Sequence, residues 1–264
     1  MTIRTARRIV QAASLVFIIA IPVLNRNGID FITGSFYSLA VGPVWISDPL
    51  IALQTILLTL HADAVLLVSL VIPLALAFVL GRAFCGWVCP QNALSEFVDW
   101  AVRALRLRRF IPQGRTRLPR YLVLAAVIIL TPFAGIPLAS LLSAPGIISV
   151  QTAKLIYEGT VGVEVGLIGL IVLTEFLVVR RVWCAHVCPI GTFLGMFRTG
   201  RTLTVTFASD KEHVCDRCMD CMQACQFGLD PTKNKLSSPC HNCGDCIDAC
   251  RRTRHVKSPL HYRF

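Results

Sequence analysis

Two cysteine runs near the end of the chain constrain its fold more than any other feature. Cys215, Cys218, Cys221 and Cys225 are followed by Cys240, Cys243, Cys246 and Cys250, and each set reads C-x2-C-x2-C-x3-C. A cubane cluster needs four thiolates facing one point. Three from a single loop and a fourth from a following short helix meet that need, and this is the bacterial ligation spacing for [4Fe–4S] clusters. In two-cluster ferredoxins the fourth Cys of each run serves the other cluster. The spacing therefore predicts Cys215, Cys218, Cys221 and Cys250 at one cluster, and Cys240, Cys243, Cys246 and Cys225 at the other. Such crossing folds both runs into one pseudo-symmetric α+β unit with clusters close enough to exchange electrons. Paired zinc sites and disulfides compete, but zinc motifs usually show two CxxC pairs separated by a longer loop. Two departures concern the loop shape. Gln226 and Arg251 stand where a Pro usually follows the fourth Cys, and the spacer from Cys225 to Cys240 is short.

Composition places this unit on a membrane protein. The 264 residues are 55% hydrophobic and 16% charged, with a mean hydropathy of +0.64, far more apolar than a soluble domain of this length. The net charge of +11 raises nucleic acid as a partner. No basic stripe interleaved with aromatics supports that, so none is expected. The arginines instead flank apolar runs, as membrane topology demands. Four runs stand out: about 9–24, 64–81, 121–142 and 163–179. At ~1.5 Å per residue, runs of ~17–22 residues cross a ~30 Å hydrocarbon core. The expected architecture is mainly α: a four-helix membrane domain over 1–205, then a ferredoxin-type module over 206–264. Arg7-Arg8 before the first run suggests a cleaved signal, but no small-x-small cleavage site follows. Between the first two runs, Phe31–Trp45 and Leu50–Leu60 are expected to lie in the interface or to dip into the protein. Leu94, Phe97, Val98, Ala101 and Leu105 recur at helical spacing, which predicts a helix on the membrane surface. The basic blocks 4–8, 82–120 and 180–201 fall on one side of this layout. By the positive-inside rule that side is the cytoplasm, with both termini there and the chain in the inner membrane of a bacterium.

The membrane half carries an internal echo. Cys85-Gly-Trp-Val-Cys89-Pro90 matches Cys184-Ala-His-Val-Cys188-Pro189, and Asp48-Pro49 with Gln54-Thr55 faintly matches Ala144-Pro145 with Gln151-Thr152. Two such units in parallel predict two repeats related by an axis along the membrane normal. The i, i+4 spacing puts both sulfurs of a pair on one helical face, and the Pro breaks the helix after it. Cys85, Cys89, Cys184 and Cys188 can thus converge at the membrane edge. They read as a third metal or cluster site, as redox dithiols, as copper-binding thiols, or as small residues that simply pack. Glu175 lies inside the fourth run, where a carboxylate is costly. It is the candidate catalytic residue, carrying protons beside a quinone, unless it serves a helix-facing hydrogen bond. His61 and His186 fall on opposite sides of the four-span layout, so one bis-His haem cannot use both. No Gly-rich phosphate loop and no Ser-His-Asp set is present.

With these motifs in hand, the chain resembles the NapH/MauN family of membrane ferredoxin-type proteins, in which four spans and two C-x3-CP motifs precede two cluster motifs. NosR-like and copper-reductase proteins share the C-x3-CP pairs. The resemblance covers nearly the whole chain. It implies a quinol dehydrogenase component that passes electrons between the quinone pool and partner Fe–S or cytochrome proteins through two [4Fe–4S] clusters. The alternatives are an assembly factor that supplies electrons or handles copper for a periplasmic metalloenzyme, and a channel with an Fe–S sensor.

Overall fold

A computed structural model describes residues 2–107, 118–208, 215, 218–233, 239–254 and 258–264. Helix α1 (Ile3–Arg26) opens the chain. The Thr2 hydroxyl caps it by accepting from the Thr5 amide, which satisfies one of the amide donors left over at a helix start. A small antiparallel meander follows: β1 (Ile32–Gly34), β2 (Ser38–Val41) and β3 (Val44–Ser47), with Leu39 opposite Ile46. Asp48 and Pro49 then start α2 (Pro49–Thr59). The Asp48 carboxylate accepts from the Leu50 and Ile51 amides, and Pro at the first helical position needs no donor. Next come α3 (Ala64–Ser69), α4 (Val71–Leu80), α5 (Ala83–Trp87) and α6 (Pro90–Ala104). The second half holds α7 (Leu118–Ala134), α8 (Leu138–Leu141), α9 (Ala144–Glu158) and α10 (Val165–Leu177), then a π-helical turn, Trp183–Val187, and α11 (Pro189–Met196). The C-terminal module consists of β4 (Thr204–Phe207), α12 (Asp220–Ala224), α13 (Asp245–Arg254) and β5 (Leu260–Arg263). Strand β4 pairs antiparallel with β5, placing Val205 opposite Tyr262.

The expected four-span repeat is not what forms. Among the described residues one helix, α1, is long and apolar enough to cross a membrane. The second run forms one apolar helical stretch, Ala64–Leu80, with a single turn residue at Leu70 that keeps right-handed helical dihedrals; its length is about 25 Å against a ~30 Å core. The third run ends early at Gly135, which sits at φ +64°, and its remainder is the separate turn α8. The fourth contributes the 13 residues of α10, about 20 Å of helix against a ~30 Å core. Hydropathy averages over a window and does not register where these helices stop.

The echo between the halves survives locally. Ser143 caps α9 by accepting from the Gly146 amide, as Asp48 caps α2. Gln54 Oε1 accepts from the Ala139 amide at 2.6 Å and Gln151 Oε1 from the Gly162 amide at 2.6 Å. Each Gln thus pins a neighbouring segment by its backbone. The apolar core lies where α2, α4, α7, α8 and α11 meet, around Leu50, Ala77, Leu124, Val127, Ala139, Ile190 and Leu194. A second core in the module joins Val205, Ile247 and Leu260, with Cys221, Cys246 and Cys250 packed against it. Large apolar side chains remain uncovered on α1, α3, α7 and α10, including Val16 at 65%, Val68 at 69% and Phe133 at 84% exposure.

Helix α6 divides the apolar set expected on a membrane surface, with Phe97 turned outward and Val98 inward. Phe97, Trp100 and Leu105 are exposed, and the buried face is Gln91, Asn92, Ser95, Val98, Asp99 and Val102. That polar face meets a buried layer of charge. Arg7 contacts Glu96 at 3.0 Å and Asp245 at 3.1 Å. Arg180 contacts Asp99 at 3.0 Å, and Arg181 donates to Asn92 Oδ1 at 2.6 Å. This layer joins α1, α6 and the C-terminal module.

Candidate redox centre

The eight cysteines of the two runs fall into two groups in space. Around Cys221 the neighbouring thiols are Cys250, Cys218 and Cys215. Cys225, Cys240, Cys243 and Cys246 line one small pocket, closed by Val205, Phe227 and Leu229. Cys246 lies close to Cys221 as well, so the two groups adjoin. All twelve cysteines are free thiols.

The turns that carry these thiols also aim amides at them. The Leu229 amide donates to Cys225 Sγ at 3.3 Å, with the Phe227 amide beside it. The Met222, Asn242, Asp245 and Ile247 amides serve Cys221, Cys240, Cys243 and Cys246. Amide donors favour sulfur that carries negative charge. Burial works against charge: it pushes the Cys221 thiol up to about 11, with neighbouring thiols adding to it. Burial likewise raises Cys240, Cys243 and Cys246. Free thiols here stay protonated, and a cluster displaces those protons when it binds. Thiols in two groups of four, with N–H donors at Cys221, Cys225, Cys240, Cys243 and Cys246, fit [4Fe–4S] clusters.

His241 and Gln226 close the second group. His241 is buried against Phe227 at 4.8 Å between ring centroids, and its Nε2 pairs with Gln226 Oε1 at 3.2 Å. Burial, and the field of Arg181, Arg7 and Arg82, hold its imidazole neutral. Gln226 Nε2 donates to Asp245 at 2.7 Å and Glu96 at 3.3 Å. The amide at the usual Pro position therefore ties the cluster loop to α6. Arg251 is exposed.

The four membrane-half thiols do converge. Cys89 neighbours Cys85 and Cys188, Cys188 neighbours Cys85, and Cys184 neighbours Cys188 and Cys89. Cys89 is buried and the other three are partly buried, and desolvation raises all four, Cys188 to about 11. The Arg82 guanidinium counters this at Cys85, Cys188 and Cys240, so one buried cation stands between the tetrad and the second group. Glu175 is buried and lies beside Cys184, whose thiol it helps to raise. Among the described residues no three His, Cys, Asp or Glu side chains are close enough to hold a single metal ion. His61 is exposed, while His186 lies in the π-helical turn with Nδ1 3.3 Å from the Val182 carbonyl.

Tetrad and module touch through Gly86. A Cβ there would lie 2.6 Å from the His241 carbonyl oxygen. The next residue, Trp87, donates Nε1–H to the Asn242 carbonyl at 2.9 Å. The matching positions of the second motif are Ala185 and His186. That difference between otherwise similar motifs is the one sequence signal that could have revealed the contact. Asp48, Arg82 and Gln226 were noticed in the sequence only as parts of patterns, and no spacing marks their positions beside the thiols.

Comparison with known proteins bears on the same residues. The family model described as a 4Fe-4S binding domain matches residues 62–109 and 161–204, the two stretches that hold the C-x3-CP motifs. The methylamine utilization ferredoxin-type protein MauN of Methylorubrum extorquens is 35% identical over 227 residues, covering 83% of this chain and 73% of that protein. The ferredoxin-type protein NapH of Haemophilus influenzae is 28% identical over 237 residues, covering 89% and 77%. The regulatory protein NosR of Stutzerimonas stutzeri is 29% identical over 189 residues, covering 68% of this chain and 25% of its own length. No solved structure matches the chain significantly. With its cysteine runs, these relatives make it an iron–sulfur electron-transfer protein, and the chain belongs to the NapH/MauN family of ferredoxin-type proteins.

Proposed function

We propose that the chain passes electrons between the quinone pool and redox partners through two [4Fe–4S] clusters. Cys215, Cys218, Cys221 and Cys250 hold one, and Cys225, Cys240, Cys243 and Cys246 the other. The observation that carries this reading is the crossed grouping: Cys250 sits with the first run, and Cys225 lines the pocket of the second. Adjoining clusters allow an electron to enter at one and leave at the other. Partners are further Fe–S or cytochrome proteins. The protein sits in the bacterial inner membrane through α1, with the uncovered apolar faces against lipid and the termini and module on the cytoplasmic side. The N-terminal end of α1 supports that placement, since the Ile3 and Arg4 amides donate to Asp248 of the module at 3.2 and 2.7 Å. The tetrad of Cys85, Cys89, Cys184 and Cys188 is a redox or cluster site continuous with the second cluster, and Glu175 tunes Cys184. A copper-handling role finds less support, because a single ion bonds sulfur at ~2.3 Å and no described trio of ligands meets that closeness.

The test is iron and acid-labile sulfide per chain, with EPR after reduction, on anaerobically purified protein. About eight irons and a coupled signal support two clusters. About twelve add a cluster on the tetrad. Protein with little iron overturns the electron-transfer mechanism proposed here.

A further inference from the structure

An apolar cavity of about 590 Å³ opens in the helical part of the protein. It lies between Phe17 and Ile21 of α1, the β2–β3 hairpin and α4. Its position is unusual in two respects. One wall is made by Trp87, Asn242 and Tyr262. Trp87 and Tyr262 both donate to the Asn242 carbonyl, at 2.9 and 2.8 Å, and Asn242 lies in the loop between Cys240 and Cys243. The cavity is thus a single residue layer from the second thiol group. Asp48 lines the cavity too. Its Oδ1 accepts both capping amides, at 2.9 and 3.2 Å, which leaves Oδ2 with no hydrogen-bond partner among the described residues. Protein surrounds Asp48 closely enough to push its carboxyl up to about 6, yet its surface is only half-buried because the cavity keeps it open.

We propose that this cavity binds the head group of an isoprenoid-quinone-class carrier, with Asp48 Oδ2 hydrogen-bonded to a head-group oxygen. The inference rests on the quinone reading above and gives it a site. The chemistry fits one occupant. A flat conjugated dicarbonyl ring on an apolar tail suits aromatic walls, which Phe36, Phe84 and Trp87 supply, with Phe36 and Phe84 edge-on at 5.9 Å. It needs one polar contact deep inside, which Asp48 supplies, and an apolar mouth, formed by Phe17 and Leu76 beside the one helix long enough to span a bilayer. It needs nearness to a one-electron carrier, which the Asn242 wall provides. An acyl chain would use the walls and leave the carboxyl idle.

The experiment uses the full chain in lipid nanodiscs and a short-chain photoreactive benzoquinone as the probe, with labelled peptides found by mass spectrometry. Labelling within residues 31–49 or 73–88 is expected. Leu76, 53% exposed at the mouth, tolerates a larger side chain, so Leu76→Trp blocks entry without unfolding the core. Leu76→Trp is expected to weaken probe binding roughly tenfold through lost contact, whereas Asp48→Asn, whose side-chain N–H can still donate to a probe carbonyl, should bind it as the parent does. Leu170→Trp, on the exposed face of α10 outside the cavity, should bind as the parent does. Labelling confined to residues that do not line the cavity, parent-like binding by Leu76→Trp, or a tightly held phospholipid that excess probe fails to displace would each overturn the site. Quinol-driven cluster reduction separates this from the broader reading. If Leu76→Trp is reduced by quinol as fast as the parent, the site falls and the quinone reading stands. If the parent binds the probe in this cavity but quinol reduces no cluster, the site stands and the electron-transfer direction from quinol falls.

Discussion

At the scale of single residues, chemistry is set by contacts that no local pattern announces. Gly86 is the sharpest case. Any side chain there meets the His241 carbonyl, and backbone cannot yield as a flexible side-chain tip can. Gly86→Val should cost about 1–3 kcal/mol of overpacking and loosen the cluster loop. The expected result is a lower midpoint for cluster loss on urea titration, followed by absorbance near 400 nm. Asp48 gives a prediction with a sign. Its folded carboxyl is raised from 3.8 to about 6 by burial, so the folded chain keeps a proton that the unfolded chain has released. Stability from this group is greatest at low pH, falls as pH rises between those two values, and is level above them. Asn retains the capping oxygen and carries no charge. Asp48→Asn should therefore be more stable than the parent above that window, by on the order of 1–3 kcal/mol. Below pH 4 it should match the parent, as thermal unfolding across pH would record. The eight cysteines were legible because ligand spacing is local. The Gly86–His241 contact was not, because the two residues are separated by most of the chain.

At the scale of elements, caps and breaks decide what hydropathy does not. Gln54 and Gln151 each fasten a backbone amide of a neighbouring segment. Gln54→Ala strands the Ala139 amide, which is buried, and should cost about 1–3 kcal/mol, with hydrogen exchange at α8 faster than in the parent. The Asp48-Pro49 and Ala144-Pro145 echo was readable as sequence, and its cause is this shared cap-and-pin arrangement. Helix existence was mostly legible as well. Span count was not, since the helices of the second, third and fourth runs, Ala64–Leu80, Leu118–Ala134 and Val165–Leu177, stop short of the length that composition suggests. The periodicity of α6 pointed to a membrane-surface helix, and Phe97 and Leu105 of that set are exposed while Val98 is buried; the polar layer beneath it was not legible, because its ionic partners come from distant parts of the chain.

At the scale of the whole molecule, that charge layer joins two bodies of opposite character, an apolar helical part and a thiol-rich module. Arg7 is its centre, buried and shared by Glu96, Asp245 and the Cys243 carbonyl, the last at 2.9 Å. Arg7→Met leaves two largely buried carboxylates facing each other without a cation, and should cost on the order of 3–5 kcal/mol. Limited proteolysis should then release the module from a helical part whose far-UV circular dichroism is little changed. Raising salt on the parent should not mimic this, because buried pairs are poorly screened.

The same junction has a consequence for how the protein is made. The amides of Ile3 and Arg4 are held by Asp248, and Arg7 by the loop after Cys243. Ile3, Arg4 and Arg7 are thus synthesised 245, 244 and 236 residues ahead of the groups that hold them, and wait for these before they find their partners. Until then the cysteine loops stay open to whatever delivers iron and sulfide, and the finished module is latched by a segment synthesised long before it. Order of birth and order of closure run in opposite directions, which gives cofactor insertion its window.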